Sequence, residues 1–265
     1  MKLVRTASEL SDALAPARAN GPIALVPTMG AFHAGHLALM RAARAEAATV
    51  VVSLFVNPPQ FGPGEDLDRY PRDEETDARI AADEGVDVLF VPSVDEMYPR
   101  GFDTSVDPGA LATVLEGAVR PHHFRGVATV CARLLGLTRA DIAFFGRKDA
   151  QQLAVVGQVV RDLALPIELR AVPTVRDPDG LALSSRNRYL SADGRRRALA
   201  LPAALEAGAA AHRSGDDPVA AARGVLNSAD GIEVDYVAVA DFAGPTLAAA
   251  IRVDGTRLID NVLLS

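Results

Sequence analysis

Residues 23–56 read IALVPTMGAFHAGHLALMRAARAEAATVVVSLFV, and this stretch holds one strand–helix–strand unit. Residues 23–27 form a short apolar run, predicted as a buried strand. Residues 37–48 are rich in Ala, Leu and Arg, all good helix formers, and predict a helix. Residues 49–56, TVVVSLFV, are β-branched and nearly all apolar, which suits a strand covered on both faces.

The pattern continues outward. A charged amphipathic helix is predicted over 72–84, a strand over 86–91, a helix over 127–137 and a strand over 141–145. A helix over 150–163 and a strand over 167–172 close the series. Strands alternating with helices specify an α/β fold: a Rossmann-like parallel sheet with helices on both faces. The composition shifts after about residue 175. A long Ala- and Arg-rich helix is predicted over 191–212, a second over 216–228, a strand over 231–239 and one or two more over 247–259. The expected organisation is a ligand-binding domain over 1–175 and a small α+β domain over 176–265.

Bulk composition narrows the function. The chain has 265 residues, 49% hydrophobic and 23% charged, as a folded protein should. Its formal net charge is −7, whereas a dedicated nucleic-acid binder usually carries a basic surplus. No nucleic-acid partner is expected, although a local basic pocket remains compatible. One cysteine, Cys131, lies in the apolar helical pattern GVATVCARLLGL and is expected as a buried core thiol, not a nucleophile or metal ligand. The N-terminal MKLVRTASELSDAL lacks the apolar run of a signal peptide, and no uncharged apolar stretch reaches about 20 residues. A soluble, cytoplasmic protein is expected, with no membrane partner.

In parallel sheets, ligands bind beyond the carboxyl ends of strands, so the chemistry should lie in the loops that follow them. The first, PTMGAFHAGH, places His33 and His36 three residues apart where a strand becomes a helix. That spacing puts both imidazoles on one face, at a helix N-terminus that favours phosphate. They could donate to phosphoryl oxygens, and a bound polyphosphate should favour protonated rings. Ordinary helix capping is the plainer use. Zinc is the third, but a helical zinc pair is usually spaced i, i+4 with a further ligand. The second loop, NPPQFGPGEDLDRYPR, has four prolines and two glycines, so it is stiff. Its Asn57 and Gln60 offer amides to a small hydroxylated substrate, or are solvated turn tips. The third, FFGRKDAQQL, brings Lys148 after a strand and Gly146, where Lys reaches phosphate as a point charge. Asp149 could take ribose hydroxyls or cap the helix. Gln151 and Gln152 diverge by about 100° on a helix, so at most one shares the Lys148 pocket. The fourth, VPTVRDPDGLALSSRNRYL, carries Ser184, Ser185 and Arg186, a polyphosphate clamp or else a capped helix start with Arg in solvent.

Taken together, PTMGAFHAGHLALMRAA, VVVSLFVNPPQFGPGEDLDRYPR, ARLLGLTRADIAFFGRKDAQQLAVV, VPTVRDPDGLALSSRNRYLS and GTRLIDN closely resemble the pantothenate synthetase family, within the H-x-G-H nucleotidyltransferases. The H-x-G-H motif alone is moderately specific; its combination with NPxQF, KDxQQ and SSRN is highly specific. The resemblance spans essentially the whole chain. It implies ATP-dependent condensation of pantoate with β-alanine through a pantoyl adenylate. It implies ATP contacts from Met29, His33, His36, Gly146, Lys148, Asp149, Val175 and Leu183 to Arg186, with His33, His36, Lys148, Ser184, Ser185 and Arg186 as the catalytic set. Gln60 and Gln152 would hold pantoate, Asn57 would lie near the β-alanine path, and Tyr70 falls in the same region. Magnesium would escort the phosphates, with Asp77 at the position of an acidic residue that holds it. A homodimer is implied, and the small domain would close over the ATP site. The sequence departs from the pattern at Arg147, commonly Glu; at Ala150, commonly aromatic; at Thr76, where a further Asp occurs; and at Phe32, commonly Leu. A different adenylyltransferase would need a second nucleotide site in place of the NPPQF and QQ residues. A class I aminoacyl-tRNA synthetase would need a tRNA-binding domain that this short acidic chain lacks. A nucleotide sensor without turnover would not need His33, His36, Lys148, Ser184 and Arg186 all intact.

Overall fold

In the computed structural model, residues 1–264 are described, and they fall into two compact units. The first comprises Met1–Gly146 and Val155–Val172; the second comprises Arg147–Ala154 and the chain from Pro173 onward.

The first unit is built on strands β1 (Lys2–Val4), β2 (Ile23–Thr28), β3 (Thr49–Leu54), β4 (Val88–Phe90), β5 (Ile142–Gly146) and β6 (Glu168–Val172). They make one parallel sheet in the order β1-β4-β3-β2-β5-β6. The helices are α1 (Ala7–Leu14), α2 (Ala34–Glu46), α3 (Glu74–Asp83), α4 (Val94–Met97), α5 (Glu116–Val119), α6 (His123–Thr138) and α7 (Ala150–Asp162). The first residues of α7, through Ala154, belong to the second unit. Because side chains alternate along a strand, Ala24, Val26, Val50 and Val52 face one side, where they pack on Leu39, Met40 and Ala43 of α2. Leu25 and Val51 face the other side, and α6 also packs on β2. Burial on both faces explains why β2 and β3 read as continuous apolar runs. The edge strand β6 is only partly covered, and it alone carries alternating charge.

The expected α/β class is what the structure has, with sharper boundaries. The helix expected over 37–48 is α2 and starts at Ala34, because His33 caps it. Strand β1 and helix α1 escaped the sequence reading. Yet Thr6 and Glu9 form a capping box there, a T-x-x-E signature visible in the sequence.

Strand order reverses at β2: the chain runs outward to β3 and β4, then returns to β5 on the other side. The switch point therefore lies beyond the carboxyl ends of β2 and β5, at Thr28 and Gly146.

The second unit has an antiparallel sheet, β7 (Ile232–Asp241), β8 (Pro245–Val253) and β9 (Thr256–Leu263), in that order. Helices α8 (Ala192–Ala198), α9 (Ala200–Arg213) and α10 (Pro218–Asn227) accompany it. Leu201, Ala204, Leu205, Ala222 and Leu226 pack on Val237, Leu247, Ala249 and Ile251. The single helix expected over 191–212 is two helices broken at Leu199. Pro202 has no N–H for the carbonyl of Ala198, and its ring would crowd that carbonyl. A new helix therefore begins just before Pro202, which sits in its first turn.

Candidate active site

The loop from β2 to α2 is held from beneath. Asp77 on α3 is 2% exposed, and its two carboxylate oxygens accept from the backbone N–H groups of Ala31 and Phe32, each at 2.8 Å. Gly30 has φ +85°, and a Cβ there would stand 2.5 Å from Leu54 and 2.7 Å from Asp77. Only glycine permits that approach. Both oxygens of Asp77 are thus engaged with backbone, and the described residues contain no cluster of three His, Cys, Asp or Glu that could hold a metal. Asp77 anchors the loop.

His33 is the N-cap of α2, with φ −139° and ψ 175°. Its Nδ1 accepts from Gly35 N at 3.1 Å, and Nδ1 of His36 accepts from His33 N at 3.3 Å. The two rings form a reciprocal capping box, with centroids 4.2 Å apart. Capping and ligand binding, set against each other as rival uses, are compatible here because they use different nitrogens. A ring that accepts at Nδ1 carries its proton on Nε2, so each neutral imidazole is an Nε2–H donor. A protonated ring has no Nδ1 acceptor, so the protonated rings expected from the sequence would each lose a capping bond.

The NPPQF loop forms a buried polar cluster in the same unit. Asn57 is 1% exposed; its Nδ2 donates to Gln60 Oε1 at 3.1 Å and to the Gly126 carbonyl at 3.2 Å. Tyr98 Oη donates to Asn57 Oδ1 at 2.5 Å. Gln60 Nε2 lies 3.0 Å from Met29 Sδ. His123 Nδ1 and Arg120 both bond the Gln60 carbonyl, at 2.9 and 3.3 Å, and Arg120 pairs with Glu65 at 2.6 Å. Burial, aided by the charge of Arg120, lowers His123 to about 4, so it is neutral near pH 7 and donates from Nδ1. Glu65 is lowered as well: burial opposes its charge, but hydrogen bonds from Arg120 outweigh it. Tyr70 is buried edge-on to Phe61 at 5.9 Å. Asn57 and Gln60 are therefore not solvated turn tips. The sequence reading missed Tyr98, Arg120 and His123 because no motif marks partners so far along the chain.

In the second unit, a 3-10 turn, Arg147–Asp149, leads into α7. Lys148 Nζ stands 3.6 Å from Asp149 Oδ1. Asn261 on β9 donates through Nδ2 to the carbonyls of Arg147 at 2.9 Å and Lys148 at 2.8 Å, fixing the turn. Beside it, Asp260 is 2% exposed and takes Arg176 bidentately at 2.6 and 3.1 Å. Arg176 also bridges to Ala182 and donates to the Gly180 carbonyl, which closes the 173–188 loop as a hairpin. Val175 and Leu183 are paired across that hairpin by a 2.9 Å backbone bond. Ser184 Oγ accepts from Arg186 N at 3.3 Å and caps the short turn Ser185–Tyr189. The GTRLIDN stretch, whose role was not evident in the sequence, is the brace of both phosphate-loop candidates. Gln151 is 5% exposed and Gln152 half-buried. Nothing in the structure explains the charge introduced at Arg147. Cys131 is fully enclosed and burial pushes its thiol up to about 12, which suits a core residue and neither a nucleophile nor a ligand.

Comparison with known proteins finds relatives over the whole chain. A family model described as pantoate-beta-alanine ligase matches residues 2–263. A pantothenate synthetase of Thermobifida fusca (strain YX) is 53% identical over 285 aligned positions, covering 99% of this chain and 95% of that one. A crystal structure of pantothenate synthetase from Thermus thermophilus superposes with a TM-score of 0.94 at 46% identity, covering 100% and 99% of the two chains. A pantoate-beta-alanine ligase from Francisella tularensis, crystallised with beta-gamma ATP and beta-alanine, has a TM-score of 0.87 at 32% identity, covering 100% and 98%.

Proposed function

The chain belongs to the pantoate-beta-alanine ligase family, and from that premise we infer how its residues divide the chemistry. It is an ATP-dependent ligase that joins pantoate to β-alanine through a pantoyl adenylate. A carboxylate is a poor acylating agent, so the pantoate carboxylate first attacks the α-phosphorus of ATP. A P–O bond forms to the carboxylate oxygen, and pyrophosphate leaves with the electron pair of the bond it had to that phosphorus. The neutral amine of β-alanine then attacks the acyl carbon. The bond to the phosphate oxygen breaks, AMP leaves, and the amine loses a proton to solvent.

We assign ATP contacts to Met29, His33, His36 and Gly146 in the first unit, and to Lys148, Asp149, Val175, Leu183, Ser184 and Arg186 in the second. The observation that best supports this is the reciprocal imidazole box, which makes Nε2–H donors of both rings at a helix N-terminus. Preorganised donors of this kind stabilise charge as it develops on the phosphoryl oxygens. Lys148 adds a point charge, and Arg186 with Ser184 and Ser185 adds planar and hydroxyl donors. No covalent enzyme intermediate is required. Pantoate is assigned to Gln60 and Gln152. Asn57 has both Nδ2 hydrogens engaged with protein oxygens, so we give it a positioning role along the β-alanine path. Magnesium is placed on the ATP phosphates, since Mg²⁺ keeps several waters and binds substrate phosphate more than protein cages. We extend the family reading to a cytoplasmic homodimer, which sedimentation of the purified protein checks as to stoichiometry.

Pyrophosphate exchange into ATP, measured without β-alanine, tests the assignment. Exchange should require pantoate. Exchange that proceeds equally without pantoate would indicate a different adenylyl acceptor.

A further inference from the structure

We propose that Tyr98 is a positioning residue that sets, through Asn57, the amide polarity of Gln60, so that the pocket meets the pantoate carboxylate with an N–H donor. This rests on the assignment of pantoate to Gln60. The chain of reasoning starts at the Gly126 carbonyl, which can only accept. It lies 3.2 Å from Asn57 Nδ2, and a flipped amide would set two buried oxygens against each other. The contact exists because Gly126 has no side chain: a Cβ there would stand 2.6 Å from Gln60 N and from Pro59, so α6 lies directly on the Pro58–Gln60 turn.

With Nδ2 on Gly126, Asn57 Oδ1 must face Tyr98, which supplies the donor at 2.5 Å. Burial pushes the Tyr98 hydroxyl up to about 12, so it stays protonated at any working pH. The second Asn57 N–H then claims Gln60 Oε1 at 3.1 Å. That leaves Gln60 Nε2 on the far side, 3.0 Å from Met29 Sδ. A thioether is a weak acceptor, so a carboxylate oxygen is a better partner for that donor. Pantoate's hydroxyls can donate or accept, whereas its carboxylate only accepts. A Gln60 locked as donor therefore bonds the charged carboxylate more strongly than a hydroxyl oxygen. The backbone of Gln60 is pinned independently by His123 and Arg120, so the polarity of the side chain is what Tyr98 governs.

Tyr98→Phe removes only the hydroxyl and keeps the ring packed on Phe102 at 5.2 Å and Phe55 at 6.2 Å. Pantoate KM in pyrophosphate exchange should rise roughly tenfold, the size of one weakened hydrogen bond to a charge. Turnover at saturating pantoate and calorimetric ATP affinity should stay within about threefold, because Tyr98 bonds Asn57 and touches no assigned ATP residue. Preference for pantoate over its carboxamide, used as a competitor, should narrow, since a loosened Gln60 can turn its oxygen to the amide. Asn57→Asp, a second variant, draws Nε2 inward and should raise KM further. The proposal is overturned if Gln60→Ala raises pantoate KM while Tyr98→Phe and Asn57→Asp leave both KM and the carboxamide preference unchanged. If Gln60→Ala itself leaves pantoate KM unchanged, it is the assignment of pantoate to this pocket that falls.

Discussion

Replacing His36 with Gln and with Ala separates the two jobs of one imidazole. Nδ1 of His36 accepts from His33 N at 3.3 Å, which is the capping-box bond. Gln at this third helical position can make the same bond through its side-chain oxygen, as Gln and Glu do in ordinary capping boxes. Ala cannot. Loss of a capping interaction costs about 0.5–2 kcal/mol. In a chain of this length each kcal/mol shifts Tm by about 2–4 °C, so His36→Ala should melt roughly 1–8 °C lower while His36→Gln melts near the parent. Ala has no donor, and Gln keeps an amide N–H only on a flexible chain, not at the fixed far edge of a ring, where Nε2–H stands. Removing one preorganised donor from an oxyanion-type site typically costs about 10²–10³ in rate. Single-turnover formation of the adenylate, with ATP and pantoate saturating, should fall by that factor in both variants. Thermal melts and the rate then give two independent readings. Should His36→Ala form adenylate at the parent rate, the ring serves only as a cap and the proposed phosphate contact is wrong.

Lys148→Ala should slow adenylate formation by about 10²–10³ with little change in Tm, because its 3.6 Å pair with the partly exposed Asp149 holds nothing else in place. Asp77→Ala leaves the Ala31 and Phe32 amides without their acceptor, at about 1–3 kcal/mol each; a melt should drop by several degrees, and excess magnesium should not restore ATP affinity. If magnesium does restore it, the metal role of Asp77 stands after all. His123 has a folded-state pKa of about 4 against an ordinary 6.5, so between those values the unfolded chain binds more protons. Stability should therefore fall as pH drops from 6.5 toward 4, by on the order of 3 kcal/mol from this group. Arg120 on one side, with Glu65 and Glu116 on the other, tunes the loss, and His123→Asn should flatten that part of a Tm-against-pH curve.

The apolar runs at 23–27 and 49–56 and the helix-forming stretch between them were sufficient to infer a parallel α/β sheet, because burial on both faces leaves a local mark on composition. The loops that carry His33 and Lys148 were legible for the same reason, since each follows such a strand, whereas the loop with Arg186 follows the partly covered edge strand β6. Local chemistry also marked the Thr6 capping box and the Pro202 break, two signals present in the sequence and passed over. The orientation of polar groups was not legible. The amide polarity of Asn57 depends on Tyr98, 41 residues away, and on Gly126, 69 away. The turn at Lys148 depends on Asn261, 113 residues on, and the histidine loop on Asp77. Periodicity records how one segment meets solvent or core. A hydrogen bond between distant segments leaves no period in either, so only the tertiary structure decides which atom of an amide or imidazole donates and which accepts.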